Sequence, residues 1–226
     1  MAGTLTTAWV LEVVMFWLLS QPSTLRKLKQ ELREAIPNPA DIGTLPLPVL
    51  EQLVYLNAVI KEGLRLTYGV SCRLARIDPD NPIEYVDPAT NRTWHVPPGT
   101  PVGLTSVQIH HDEAIFPDSK TFSPERWLDK SGQLTKDLDK YMVSFCAGSR
   151  QCMGINLAHA ELYLCLSATW RVWGSRDADG KEVRGEGDVG VFELYETGLR
   201  DVEIESDAFL PIQQKGTKGI RIKAYS

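Results

Sequence analysis

The sequence predicts a mainly α-helical unit with small β-sheets, and three observations lead there. Apolar residues recur at helical spacing over most of residues 1–66 and again over 154–173. Proline, glycine and aspartate cut the stretch after Ser71 into short runs such as Ile83-Glu84-Tyr85-Val86 and Thr93-Trp94-His95-Val96, the texture of small hairpins. The 226 residues are 43% hydrophobic and 23% charged, a balance that suits one packed globular unit rather than a disordered or fibrous chain.

Residues 1–20 read as an apolar helix with no capping residue before it, so Met1 is expected to fall inside a longer helix and the chain to be truncated. The run from Ala8 to Leu19 invites a signal-peptide or membrane-span reading. Against both, no basic residues precede it, Glu12 interrupts it, and it is shorter than the ~20 residues a spanning helix needs. A buried helix is the expectation. Pro22 fits a first helical turn, and Leu25, Leu28, Leu32 and Ile36 carry a second helix to Pro37-Asn38-Pro39, with Arg26, Lys27, Lys29 and Arg33 as its wet face. Val49, Leu53, Leu56, Ile60 and Leu64 mark a third helix over about 49–66. The stretch from His110 to about Ser144 lacks periodicity, and loops of that length are usually functional or wrapped over something. The last long helix is expected over 154–173, with Leu157, Leu162, Leu164, Leu166 and Trp170 as apolar bulk, followed by turns and short strands.

A formal charge of -5, with no long run of Lys and Arg, argues against nucleic acid as a partner. The 4 cysteines, Cys72, Cys146, Cys152 and Cys165, have neither disulfide-framework nor zinc-site spacing, which points to a reducing compartment. One of them stands apart. Residues 145–154, F-C-A-G-S-R-Q-C-M-G, form a tight loop feeding the start of the last long helix. Amide groups at a helix start, and the positive end of its dipole, stabilise a negative sulfur. Gly148 and Gly154 permit turns or close backbone approach, and Arg150 offers a guanidinium to a carboxylate. Taken singly, Cys152 reads by default as an inert buried cysteine and Arg150 as a surface residue.

Together, these residues match F-x-x-G-x-R-x-C-x-G at every fixed position, and the loop resembles the haem-binding loop of the cytochrome P-450 family. The resemblance implies the C-terminal part of that fold, with haem b (iron protoporphyrin IX) as cofactor. It implies Cys152 as axial ligand to the iron, Arg150 at a propionate, and Phe145, Gly148 and Gly154 shaping the cradle. Lys61-Glu62-Gly63-Leu64-Arg65 looks like the family's E-x-x-R helix, and Pro124-Glu125-Arg126-Trp127 like its P-E-R-[FW] element. Glu62 and Arg65, three apart, share one helix face. By resemblance, Arg126 completes a buried structural network with them. Arg76 occupies the place of a second propionate-binding side chain, although a lone arginine after a short strand is more often surface. His110-His111-Asp112 resembles the family's H-R-D segment; a metal site there lacks a third ligand at suitable spacing.

Residues 2–7, A-G-T-L-T-T, are similar to the family's oxygen-binding helix motif A-G-x-[DE]-T-T, which makes Thr6 the proton-delivery residue. Leu5 stands where that motif has an acid. Thr6 and Thr7 also read as ordinary helical threonines. The resemblance extends over nearly the whole chain and is closest in flavour to fungal microsomal members of secondary metabolism. It implies a monooxygenase fed by an NADPH-dependent reductase, using dioxygen on a small apolar organic substrate. Full-length relatives sit on the endoplasmic reticulum membrane, and the chain shows no anchor of its own. Alternatives are an inactive truncated fragment or gene-model artefact, and a haem-thiolate isomerase, dehydratase or peroxygenase that needs no acid at position 5.

Overall fold

In the computed structural model, which describes residues 2–226, helix α1 (Ala2–Ser20) runs through the middle of the packing. It is apolar nearly all round, as a helix surrounded by protein must be. Val10, Val13, Val14, Phe16, Leu18 and Leu19 are buried, and α1 packs against α2 (Pro22–Ala35), α4 (Val54–Thr67) and α6 (Ile155–Val172). The span Gly3–Ser20 is long and apolar enough, by length and composition, to cross a membrane. That corrects the expectation that the run is too short, and 39% of the span is buried in the core.

The second helix forms as its leucines predict: Leu25, Leu28 and Leu32 are fully buried, each worth about 1.5–3 kcal/mol against exposure. Its wet face needs one correction. Lys29 is buried, and its ammonium donates to Trp170 O at 2.9 Å, Trp173 O at 2.7 Å and Asp188 Oδ1 at 2.8 Å. Burial lowers its pKa, opposed by the Asp188 carboxylate. The lysine therefore satisfies carbonyls at the end of α6, where the helix has run out of its own donors.

The helix expected over 49–66 is two helices, α3 (Leu47–Glu51) and α4, broken at Gln52 and Leu53. Val49 consequently falls outside the stripe and is 37% exposed. No local side chain caps α4. Glu31 of α2 does so from outside, accepting from Tyr55 N at 2.7 Å and Leu56 N at 2.8 Å. At the other end Tyr68 and Gly69 both take positive φ, and a Cβ on Gly69 would lie 2.2 Å from Ser144 O. This glycine lets the end of α4 press against the turn that leads into the 145–154 loop.

The aperiodic stretch does wrap the core, carrying 3₁₀ turns at Pro124–Trp127 and Asp139–Tyr141, the first packed on α4. The sheets are small. β1 (Ile83–Val86) and β2 (Thr93–Val96) pair as an antiparallel hairpin ahead of the short α5 (Ser106–His110). After α6, β3 (Trp173–Arg176) pairs with β4 (Glu182–Val183) and, in parallel, with β5 (Gly190–Leu194). β6 (Ile204–Ala208) and β7 (Leu210–Gln213) form a second hairpin, and β8 (Ile222–Tyr225) returns to pair with β5. Trp173 thus begins a strand instead of ending the last helix. Leu162, Leu166 and Trp170 of α6 are buried as expected, whereas Leu157 and Leu164 are 65% and 44% exposed, so they do not join the core.

Candidate functional site

The loop at 145–154 is closed by its own backbone. Cys152 N donates to Phe145 O at 2.9 Å, Cys146 N to Val143 O at 2.9 Å and Gln151 N to Gly148 O at 3.1 Å. Gly148 has φ +76, open to glycine at little cost, while Cys146 holds φ 59, a conformation that a side chain adopts only under constraint from its surroundings. Two neighbours supply the constraint. Ser144 Oγ donates to Leu64 O at 2.8 Å, and Val143 N donates to His110 Nε2 at 3.2 Å. His110 Nδ1 meets Arg65 O at 2.8 Å, so the Nδ1–H tautomer satisfies both contacts. Burial pushes the His110 pKa down to about 4, which keeps the ring neutral and able to accept on Nε2.

Behind the loop lies the charged network. Arg65 grips Glu62 with two bonds, Nε to Oε2 at 2.9 Å and Nη2 to Oε1 at 2.8 Å, with both side chains 0% exposed. Arg126 Nε reaches Glu62 Oε1 at 3.0 Å. Ser123 N donates to the same oxygen at 2.9 Å, and Trp127 Nε1 to Oε2 at 2.9 Å. The remaining Arg65 donors take the carbonyls of His110, Ser119 and Thr121. Every polar group of the pair is thereby used, the condition under which buried charge is tolerated. The sequence reading missed Trp127 and His110 as members. A signal existed for the first, because a buried tryptophan needs an acceptor for its N–H.

In front of the loop is a cavity of about 490 Å³, within the ~300–1,000 Å³ range of small-molecule and cofactor sites. Thr6 of α1 and Phe145, Arg150, Cys152 and Gly154 of the loop all line it, so it joins segments about 140 residues apart. Gly148 shapes the loop without lining the cavity, and Arg76 is not on its wall. The Arg76 guanidinium turns back onto Leu74 O at 2.9 Å and Ala75 O at 3.2 Å, while its backbone bridges Val102. The two adjacent histidines serve hydrogen bonds: His110 as above, and His111 Nδ1 to Ser119 Oγ at 3.1 Å. No group of three or more His, Cys, Asp or Glu among the described residues is placed to hold a metal ion.

The cavity residues fit a haem. Cys146 and Cys152 are both unbridged thiols on the wall, and Cys152, the exposed one, offers the soft ligand an iron would need. Arg150 has no hydrogen-bond or ion-pair partner among the described residues and is available to a carboxylate. Leu64, Val70 and Leu157 supply apolar wall for a macrocycle, which accounts for the exposure of Leu157.

Comparison with known proteins agrees with this geometry. The family model described as Cytochrome P450 matches residues 1–172. Cytochrome P450 monooxygenase tpcC of Cochliobolus heterostrophus is 48% identical over 98% of this chain and 40% of its own length. Cytochrome P450 monooxygenase astB of Talaromyces wortmannii is 46% identical, covering 98% of this chain and 43% of its own. N-acetyltryptophan 6-hydroxylase ivoC of Emericella nidulans is 34% identical, covering 98% and 39%. The chain therefore spans about two-fifths of the length of these curated relatives. With a matching loop, a closed Glu-Arg-Arg network behind it and a cavity in front, this chain belongs to the cytochrome P450 family.

Proposed function

We propose that the protein is a haem b monooxygenase that inserts one atom of dioxygen into a small apolar organic substrate, with electrons from an NADPH-dependent reductase. The observation that carries this reading is the shared cavity, whose lining includes Cys152, Arg150 and Thr6 of α1. In this reading the Cys152 sulfur holds the iron, Arg150 pairs with a propionate, and the loop hydrogen bonds keep the sulfur from moving. Bound haem supplies dioxygen activation, which a thiolate ligand favours by pushing electron density toward O–O cleavage. Thr6 holds a proton at its hydroxyl, while Leu64, Val70 and Leu157 exclude water and orient an apolar substrate. Glu62, Arg65 and Arg126 act structurally, by fixing the wall behind the loop.

Relatives named as monooxygenases, and one named as a hydroxylase, support C–H hydroxylation. The resemblance to fungal microsomal members supports a place on the endoplasmic reticulum membrane. Arg76 has the weakest support as a propionate ligand, since its guanidinium is held by its own loop. Leu5, 58% exposed where the family motif has an acid, favours a second reading as a peroxygenase or isomerase. Turnover under isotopically labelled dioxygen separates them. One labelled oxygen in the product, dependent on reductase and NADPH, supports the monooxygenase; unlabelled product formed from peroxide, or a rearranged product without added oxygen, overturns it.

A further inference from the structure

Beside the main cavity lies a second one of about 260 Å³, lined by Leu5, Thr6, Trp9 and Glu12 of α1 together with Gly69 and Gln213. Thr6 and Gly69 line both cavities, so the two adjoin at the threonine. Leu5 and Glu12 are seven residues apart, close to two helical turns, which puts them on one stripe of α1 about 10 Å apart along its axis. The carboxyl that the family motif carries at position 5 thus has a counterpart two turns along the same face.

Resting on the monooxygenase reading, we propose that Glu12 is the positioning carboxyl that passes solvent protons through water in this cavity to the Thr6 hydroxyl. The balance is simple: Glu12 gives one proton to the water chain and regains one from solvent, with no redox change. Thr6 and Glu12 are six residues apart, about 9 Å of helix axis, a separation that two or three waters at ~2.8 Å per step and about 30 Å³ each cover. Polar partners are present as well. Thr6 and Gln213 line it, each with a polar side chain. Gln213 Nε2 is engaged with Asp201 O at 2.9 Å, which leaves its carbonyl for water. Glu12 is solvent-accessible on the helix, yet burial around its carboxyl raises its pKa, bringing it closer to working pH. No other ionisable side chain lines the cavity among the described residues.

The test compares the full chain with Glu12→Gln and with Leu5→Glu/Glu12→Gln, first by infrared titration of the protein before haem is added. A carboxyl band titrating above the ordinary glutamate range, absent from Glu12→Gln, is expected; no such band overturns the assignment. After haem is added, the carbon monoxide spectrum of parent and variant should agree. With reductase and NADPH, Glu12→Gln should form product at least about tenfold more slowly, release more peroxide and lose the alkaline limb of the pH profile, with recovery in the double variant. Unchanged pH profile and product-to-peroxide ratio in a normally loaded Glu12→Gln overturn the relay alone. A parent without a thiolate-type spectrum overturns the haem reading, and the relay with it.

Discussion

Replacing Glu62 with leucine should be the most damaging single change behind the site. Its carboxylate accepts from Arg65 Nε and Nη2, Ser123 N, Arg126 Nε and Trp127 Nε1, all within 2.8–3.0 Å. Arg65 is 0% exposed, so the variant leaves a buried guanidinium without its counter-charge, and Trp127, also 0% exposed, loses its acceptor. Breaking one side of a buried pair costs about 3–5 kcal/mol, and each stranded neutral donor about 1–3 kcal/mol more. Against a typical total of about 5–15 kcal/mol, a loss of at least about 4 kcal/mol should leave the chain close to unfolding in water. Urea unfolding followed by tryptophan fluorescence reads this directly. The internal control is Lys27→Ala, which removes a 2.5 Å pair to Glu125 whose side chains are 56% and 44% exposed and should cost no more than about 1 kcal/mol. A Glu62→Leu unfolding free energy within about 1 kcal/mol of the control would refute the view that this network holds the fold.

Other consequences follow from neighbouring contacts. His110 has a pKa of about 4 in the folded chain against 6.5 for a free ring, so between those values the unfolded state binds more protons and stability falls as pH drops. The loss should approach roughly 3 kcal/mol by pH 4, and His110→Gln should flatten that part of the pH dependence of urea midpoints. Gly69→Ala combines φ +64 with a Cβ 2.2 Å from Ser144 O and should destabilise by at least about 2 kcal/mol, read as a lower Tm. Glu31→Ala strips the two-bond cap from α4 and should cost about 1–3 kcal/mol, with amide exchange accelerated at Tyr55 and Leu56.

What was legible in the sequence was local in the chain. The loop at 145–154 and the pair Glu62 and Arg65 each sit within a few residues, so both could be matched to short motifs of the family they resemble, and Arg126 became readable through its neighbours Pro124 and Trp127. Contacts made across the fold left no such trace. Lys29 looked like a solvated cation because the carbonyls that hold it lie at Trp170 and Trp173, more than 140 positions away. Helical periodicity carried Val49 into the stripe of α4 since a break at Gln52 and Leu53 leaves the apolar spacing intact. Leu157 and Leu164 read as core because apolar residues facing a cavity or solvent obey the same period as residues facing a core. His110 read only as part of a histidine pair without a third metal ligand at suitable spacing, and its two ring nitrogens in fact join α4 to the approach of the loop.

The central claim is that Cys152 presents its sulfur to a haem iron in the 490 Å³ cavity. The carbon monoxide difference spectrum of the reduced, haem-supplemented chain tests it most directly, with Cys152→Ala alongside. A thiolate-type Soret band in the parent that is lost in Cys152→Ala is the predicted result. A parent without that band, or a Cys152→Ala chain that keeps it, would contradict the account.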